Sequence, residues 1–133
     1  MDSAKLEFRP ENIFNLVGGI DTFHRIADAF YAGVEKDTLL RPMYPSNLDR
    51  AKEHLALFLA QFFGGPQTYS ENRGHPRLRM RHQRFAIGQA ERDAWMGHMR
   101  AALDEAGIQE PALTPMVRYF EDAATFLINR ETG

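Results

Sequence analysis

Apolar side chains recur at spacings of three and four residues along most of this chain, which is the period of an α-helix that buries one face. The clearest stripe follows Gly18-Gly19 and consists of Phe23, Ile26, Ala27, Phe30, Tyr31 and Val34. Asp21 or Thr22 is expected to cap this helix, because both side chains accept hydrogen bonds from the unpaired amides of a helix start. A short helix over 12–17 precedes the two glycines, which end it.

Three further stripes predict three more long helices, over about 49–63, 91–106 and 111–130. Gly64-Gly65-Pro66 ends the first of them and Gly107 ends the second, because glycine and proline terminate helices. No alternating pattern of a strand is present. The prediction is therefore an all-α protein with four longer helices and two or three short ones.

The connections between these helices differ in kind. Residues 37–45 form a short connection that prolines interrupt, whereas residues 67–74 are polar and are predicted to be an irregular loop. A short helix follows that loop and begins at Pro76, since proline suits the first position of a helix. The single domain is predicted to span 11–133, with 1–10 as an N-terminal extension.

Length and composition narrow the class of protein. The 133 residues fit one domain with a sizeable core. The 16 basic and 18 acidic residues give a net charge of −2, which argues against a general affinity for nucleic acid. The absence of cysteine excludes disulfides, zinc fingers and iron–sulfur clusters. No apolar run resembles a signal peptide or a membrane span, so we expect a cytoplasmic protein with no membrane partner.

The segment 64–85 is strongly basic and carries a candidate metal ligand. Its cations are Arg73, Arg77, Arg79, Arg81 and Arg84, together with His75 and His82. Leu78, His82 and Phe85 fall on one side of the predicted short helix, so the imidazole of His82 should point into the apolar interior. Neutral imidazole is a common metal ligand and the usual proximal ligand of haem iron. A core histidine bonded to a backbone carbonyl has the same spacing, and His75 is expected only to order its loop.

The arginines around His82 bear on the kind of metal it could hold. Cationic neighbours repel a bare divalent ion, which normally recruits carboxylates or further histidines. A metal inside an anionic macrocycle fits better, because guanidinium groups pair with propionates. A solvated basic face and a phosphate-binding patch remain open on the charge pattern alone. The sequence contains none of the HExxH, GxSxG, Walker or GxGxxG motifs, so hydrolase and nucleotide-enzyme signatures are absent.

Three aromatic residues bring polar hydrogens into apolar surroundings. They are Tyr31 and Trp95, on apolar stripes, and Tyr44, between two prolines. Dioxygen on ferrous haem acquires negative charge, and each nearby donor stabilises that charge by about 1–3 kcal/mol in a dry pocket. Three core aromatics with satisfied polar groups would follow the same pattern.

In this order and spacing, these residues resemble the truncated haemoglobins of the second group over about 14–129. The resemblance rests on Gly18-Gly19, Phe30-Tyr31, Tyr44-Pro45, Gly64-Gly65-Pro66, Tyr69, 73–82, Phe85, Ile87 and 92–95. Tyr44 and Trp95 are the residues that point to the second group. Phe63 departs from the commoner pattern, in which a tryptophan often precedes the Gly-Gly-Pro motif.

The resemblance implies a two-over-two helical sandwich around haem b, with His82 as the proximal iron ligand. It implies that Tyr31, Tyr44 and Trp95 are the distal donors, and that Ala51 replaces the distal histidine of many globins. The remaining distal wall is expected to comprise Leu55, Phe58 and Leu59. Arg81 is the expected propionate partner, with Arg79 second. Other haem contacts are expected from Leu78, Phe85, Phe62, Leu55, Trp95 and Met99.

The resulting hypothesis is a haem protein that reversibly binds dioxygen, carbon monoxide, nitric oxide or other diatomic ligands and releases oxygen slowly. Nitric oxide dioxygenation or peroxide turnover would need an external reductase, because the chain has no flavin or nicotinamide motif. A homodimer is compatible with this function. The competing hypothesis is a haem-free helical interaction module that binds an anionic partner through its arginine face.

Overall fold

The computed structural model describes residues 13–74, 77–83 and 85–130, without the side chain of Arg79. The helices are α1 (Ile13–Leu16), α2 (Ile20–Glu35), α3 (Asp49–Phe62), α4 (Thr68–Arg73), α5 (Leu78–His82), α6 (Gln89–Glu105) and α7 (Leu113–Phe126), with a 3-10 turn at Arg41–Met43. No strand occurs in these parts of the chain, so the predicted all-α class is confirmed. The N-terminal extension and His75-Pro76 lie outside the described residues.

The start of α2 differs from the prediction. The helix is capped by the backbone of Gly19, whose φ of 77° is left-handed, and no side chain caps it. Thr22 is buried and its hydroxyl donates backwards to the carbonyl of Val17, 2.7 Å away. The predicted capping role of Asp21 or Thr22 is therefore wrong, because the glycine turn starts the helix one residue before Asp21.

The segment predicted as an irregular loop instead forms α4, so that prediction is wrong. The side chain of Gln61 on α3 donates to the Ser70 hydroxyl and accepts from the Ser70 amide, at 2.7 and 2.9 Å. Tyr69 is buried with its ring 5.4 Å from that of Phe58. Tertiary contacts thus hold a polar stretch whose own helical tendency is weak, as is usual for short helices.

The last two helices begin and end near the predicted residues. Gly107 has a left-handed φ of 78° and its amide bonds to the carbonyl of Asp104, which confirms it as the terminator of α6. The final helix is shorter than predicted, at Leu113–Phe126. The chain then turns so that Asn129 meets Ile87, which lies before α6. This return brings the end of the chain to the segment that follows His82.

The four long helices form two pairs, α2 with α3 and α6 with α7, joined by contacts between α2 and α6. Between the pairs lies an aromatic core in which the ring of Phe63 is 6.0 Å from Phe23 and 5.9 Å from Phe120. All three side chains are buried. Removing such a ring typically costs about 3–5 kcal/mol, so this core gives the helices a firm frame. None of the described helices is both long and apolar enough to cross a bilayer.

Candidate functional site

A cavity of about 300 Å³ lies where α2, α3, α5, α6 and α7 meet. Its volume falls at the lower end of the range for small-molecule sites, which starts at roughly 300 Å³. Ten of the residues predicted for the site line this cavity: Tyr31, Tyr44, Ala51, Leu55, Phe58, Leu59, Leu78, His82, Phe85 and Trp95. The structure therefore brings together the predicted metal ligand, all three predicted donors and most of the predicted apolar wall.

His82 enters the cavity wall from the last turn of α5. Its Nδ1 lies 2.6 Å from the carbonyl oxygen of Leu78, one turn earlier. A carbonyl can only accept, so Nδ1 must carry the hydrogen, and Nε2 then keeps a lone pair for a metal. The same kind of bond orients metal-bound histidines in other proteins. Bonding to the backbone thus satisfies one ring nitrogen and leaves the other available in a half-buried side chain.

The three polar aromatics, Tyr31, Tyr44 and Trp95, form a connected group in the cavity wall. The rings of Tyr31 and Tyr44 meet edge to face with centroids 5.4 Å apart, and the Trp95 side chain hydrogen-bonds to Tyr44. Since an indole N–H can only donate, the Tyr44 hydroxyl accepts that hydrogen and keeps its own to donate onwards. Trp95 thus lines the cavity itself and also helps to orient the Tyr44 hydroxyl.

Burial keeps both phenols protonated. It raises the pKa of Tyr44 to about 12, and the hydrogen bond from Trp95 opposes part of that rise. Burial also raises the pKa of Tyr31, and the charge that Tyr44 would carry adds to the effect. Both hydroxyls are thus donors at neutral pH, which suits a ligand that carries partial negative charge.

Phe30 supports this group from the core side. Its ring lies 5.0 Å from that of Tyr31 and 5.1 Å from that of Trp95, and only 1% of the residue is exposed. The Trp95 ring also lies 5.9 Å from that of Phe120. Close packing of this kind fixes the side-chain rotamers, so the donors are held in place before any ligand arrives.

Three residues predicted to contact the cofactor, Phe62, Met99 and Arg81, are absent from the described cavity wall. Phe62 is 39% exposed and its ring stacks on Tyr119 with centroids 3.8 Å apart, while Met99 is fully buried in the core. Arg81 is exposed on α5, and the side chain of Arg79 lies outside the described atoms. Phe62 and Met99 pack against other side chains instead, because an apolar stripe buries residues in contacts between helices as well as in the cavity wall.

His54 is a wall residue that the sequence reasoning did not select. It lies three residues after Ala51 on α3, so helical spacing was a signal that could have found it. Its Nε2 is 3.3 Å from Nη1 of Arg73. Burial lowers the pKa of His54, and the charges of Arg73 and Arg50 lower it further, so the ring favours its neutral form.

Two charged residues also line the cavity, Glu91 and Arg92. Glu91 accepts a hydrogen bond from the amide of Gly88, at 2.7 Å, which ties it to the start of α6. Arg92 donates to the Thr125 hydroxyl at 3.2 Å and lies 3.9 Å from a carboxylate oxygen of Glu121. Glu91 thus bonds to the start of its own helix, and Arg92 links α6 to α7.

These features fit haem better than a bare metal ion. Within the described residues, no three His, Asp or Glu side chains come together as a metal site. His82 instead lines a mostly apolar cavity with one ring nitrogen bonded to the backbone and the other available, and the phenol and indole donors come from different elements. A macrocycle that brings its own four metal ligands needs only one such histidine from the protein.

Comparisons with known proteins point the same way. The sequence model of the family described as "Bacterial-like globin" matches residues 12–129. Group 2 truncated hemoglobin YjbI of Bacillus subtilis is 34% identical over 112 residues, which cover 84% of this chain and 85% of that protein.

Solved structures with similar folds include two bacterial haemoglobins. The hemoglobin of the thermophilic phototrophic bacterium Chloroflexus aurantiacus is 58% identical, with a TM-score of 0.88, over 90% of this chain and 98% of that chain. The "truncated oxygen-avid haemoglobin from Bacillus subtilis" is 32% identical, with a TM-score of 0.83, over 92% of this chain and 100% of that chain.

Proposed function

This chain belongs to the bacterial-like globin family as a truncated haemoglobin of group II, and from that premise we propose that it holds haem b in the cavity and there binds dioxygen reversibly. The observation that carries the proposal is the geometry of His82. Its Nδ1 is bonded to a backbone carbonyl and its ring lines the cavity, so Nε2 can ligate iron. Leu78 and Phe85 line the same cavity and supply apolar surface beside it.

When bound, haem would supply an iron centre able to bind a diatomic ligand, and His82 would hold that iron. The protein's part is to orient that ligand and to exclude water. Tyr31 and Tyr44 donate their hydroxyl hydrogens, and Trp95 orients the Tyr44 hydroxyl by donating to it. Leu55, Phe58 and Leu59 line the same cavity with apolar surface, which strengthens each of these hydrogen bonds by keeping water out.

Slow release of oxygen follows from this donor group. A hydrogen bond to a charged acceptor contributes about 1.5–3 kcal/mol, and two phenols with strongly held protons are available here. The similar haemoglobin from Bacillus subtilis is described as oxygen-avid, which supports the proposal. We extend the same expectation to carbon monoxide and nitric oxide as ligands.

Redox turnover of nitric oxide or peroxide is proposed as a further use of the same site. It depends on an external reductase, because the sequence carries no flavin or nicotinamide motif. Ala51 leaves a small side chain in the cavity wall, and this supports access for such small substrates. A cytoplasmic location and a homodimer stay predictions.

The ligand assignment is tested by replacing the two histidines that line the cavity, one at a time. We expect His82→Ala to abolish stoichiometric haem binding or to weaken it strongly, because it removes the imidazole whose Nδ1 is already bonded to the backbone and whose other nitrogen would ligate the iron. His54→Ala is the matched control and should keep the absorption spectrum of a five-coordinate, histidine-ligated ferrous haem. The measurement is the Soret and visible spectrum after haem addition. The assignment fails if His82→Ala keeps that spectrum and His54→Ala loses it.

A further inference from the structure

The segment that follows His82 is tied to the residues after α7 by hydrogen bonds, most of which Asn129 makes. The side-chain nitrogen of Asn129, Nδ2, donates to the carbonyl oxygens of His82 and Phe85, at 3.2 and 2.9 Å. Its carbonyl oxygen accepts from the amide of Ile87, at 2.9 Å. The Asn129 backbone amide donates to the Ile87 carbonyl, at 2.8 Å. One residue thus makes four hydrogen bonds to a stretch more than forty residues away.

The hydrogen bonds from Asn129 matter because α5 is too short to be stable without contacts from other parts of the protein. It contains only five residues, and isolated helices of that length are unstable in water. Within α5, Met80 is 55% exposed and Arg81 is exposed as well, so one side of the helix does not pack on the protein. Hydrogen bonds from outside the segment therefore help to restrain the backbone that carries His82.

We propose that Asn129 is a positioning residue for His82, a role that rests on the proposed haem function. The imidazole is held at Nδ1 by the Leu78 carbonyl, and the carbonyl of His82 itself is held by Asn129. The side chain and the backbone of His82 are thus fixed by two separate contacts. Together they set the tilt of the ring and the direction of Nε2 towards the cavity.

A purely structural role for Asn129 makes a different prediction. If its bonds only fasten the chain end, replacing it lowers the free energy of unfolding and leaves the bond between His82 and the iron unchanged. A positioning role changes that bond even in molecules that are fully folded. The stretching band of the iron–histidine bond in the ferrous protein, read by resonance Raman spectroscopy, reports on ring tilt and on the Nδ1 hydrogen bond, so it separates the two roles.

The test uses Asn129→Asp in the haem-loaded full chain. The aspartate has the same size and still accepts from the Ile87 amide, but it can no longer donate to the two carbonyls and sets a negative charge against them. Asn15→Asp is the matched control, because Asn15 is exposed on α1 and gains the same charge. Asn129→Ala removes the side chain without adding charge, and it serves if the aspartate variant folds poorly.

We expect both Asn129 variants to shift or broaden the iron–histidine band and to lose haem about tenfold faster, because Asn129→Asp loses two side-chain hydrogen bonds and Asn129→Ala loses three. Asn15→Asp should match the parent protein in both measurements. An unchanged band in both Asn129 variants overturns the positioning role, even if their unfolding free energies fall. A parent protein that shows no iron–histidine band at all instead removes the proposed function, and the role of Asn129 with it.

Discussion

Two parts of the cavity wall, the packed part around the donors and the hydrogen-bonded part around His82, are built by different means. Tyr31 and Trp95 lie on the long helices α2 and α6 and pack on the buried Phe30, and Tyr44 follows the 3-10 turn with its ring against Tyr31. His82 sits on a five-residue helix between exposed neighbours, and hydrogen bonds to backbone carbonyls hold it.

This difference has a physical reason. A hydrogen-bond donor must keep its place against a small ligand, and dense packing provides that by restricting rotamers. A metal-ligating imidazole must instead present one nitrogen along one direction, and bonds to its other nitrogen and to its backbone control that direction. Packing and hydrogen bonding should therefore be separable by mutation.

The largest effect is expected from removing the packing behind the donors. Phe30→Ala should lower the free energy of unfolding by about 3–5 kcal/mol, because it leaves a cavity in a fully buried cluster. Met80→Ala on α5 is the control and should change it by no more than about 0.5 kcal/mol, since Met80 is largely exposed. Urea unfolding measures both. Equal losses of unfolding free energy in the two variants would show that the packed part around the donors and α5 do not differ in packing.

An intermediate effect is expected from removing the hydrogen bond that Trp95 donates to Tyr44. Trp95→Phe removes the hydrogen bond to the Tyr44 hydroxyl while keeping most of the ring contacts, so oxygen release should be roughly tenfold faster. Tyr119→Phe is the matched control, because Tyr119 also lines the cavity and its pKa is raised by burial to about 12. Stopped-flow release rates decide the matter, and a Trp95→Phe rate equal to that of the parent would contradict the assignment.

The smallest change in stability is expected from a polar contact next to Phe30, between His98 and Asp37. His98 Nε2 lies 2.7 Å from a carboxylate oxygen of Asp37, and its ring meets Phe30 edge to face. The hydrogen bond from His98 lowers the pKa of Asp37, and burial opposes that shift while the amides of Leu39 and Leu40 add to it.

A carboxyl with a lowered folded pKa contributes stability above its unfolded pKa of about 3.9 and loses that contribution as pH falls through the folded pKa. Asp37→Asn should therefore be less stable than the parent at pH 5 to 6, and the difference should shrink below about pH 4. Glu53→Gln, at an exposed position on α3, is the control. A difference that stays constant down to pH 3 would show that the carboxylate charge contributes nothing.

The residues of the site were largely predictable from the sequence, and the hydrogen bonds that hold His82 were not. Tyr31, Leu55 and Phe58 lie on apolar stripes, and the helical period alone assigns them to the interior face. His82 was found for the same reason, from its spacing to Leu78 and from the resemblance. Its contact with Asn129 was missed, because that contact depends on how the chain returns after α7.

The helix α4 is likewise held by contacts that the sequence pattern does not predict. Its sequence is polar and has no apolar stripe, so periodicity indicated a loop. The bonds between Gln61 and Ser70 and the burial of Tyr69 against Phe58 stabilise it instead. Such contacts between separate segments leave no periodic signal. The same holds for the Gly19 turn, where a backbone conformation replaced the expected side-chain cap.

One haem is expected to bind in the cavity through His82, and titration of the haem-free protein with haem tests this most directly. The Soret absorbance should rise linearly and saturate at one haem per chain, and dithionite reduction should then give a five-coordinate, histidine-ligated ferrous spectrum. Absence of a Soret band, or absorbance that keeps rising without a stoichiometric end point, would contradict the account and favour a haem-free helical module that binds an anionic partner.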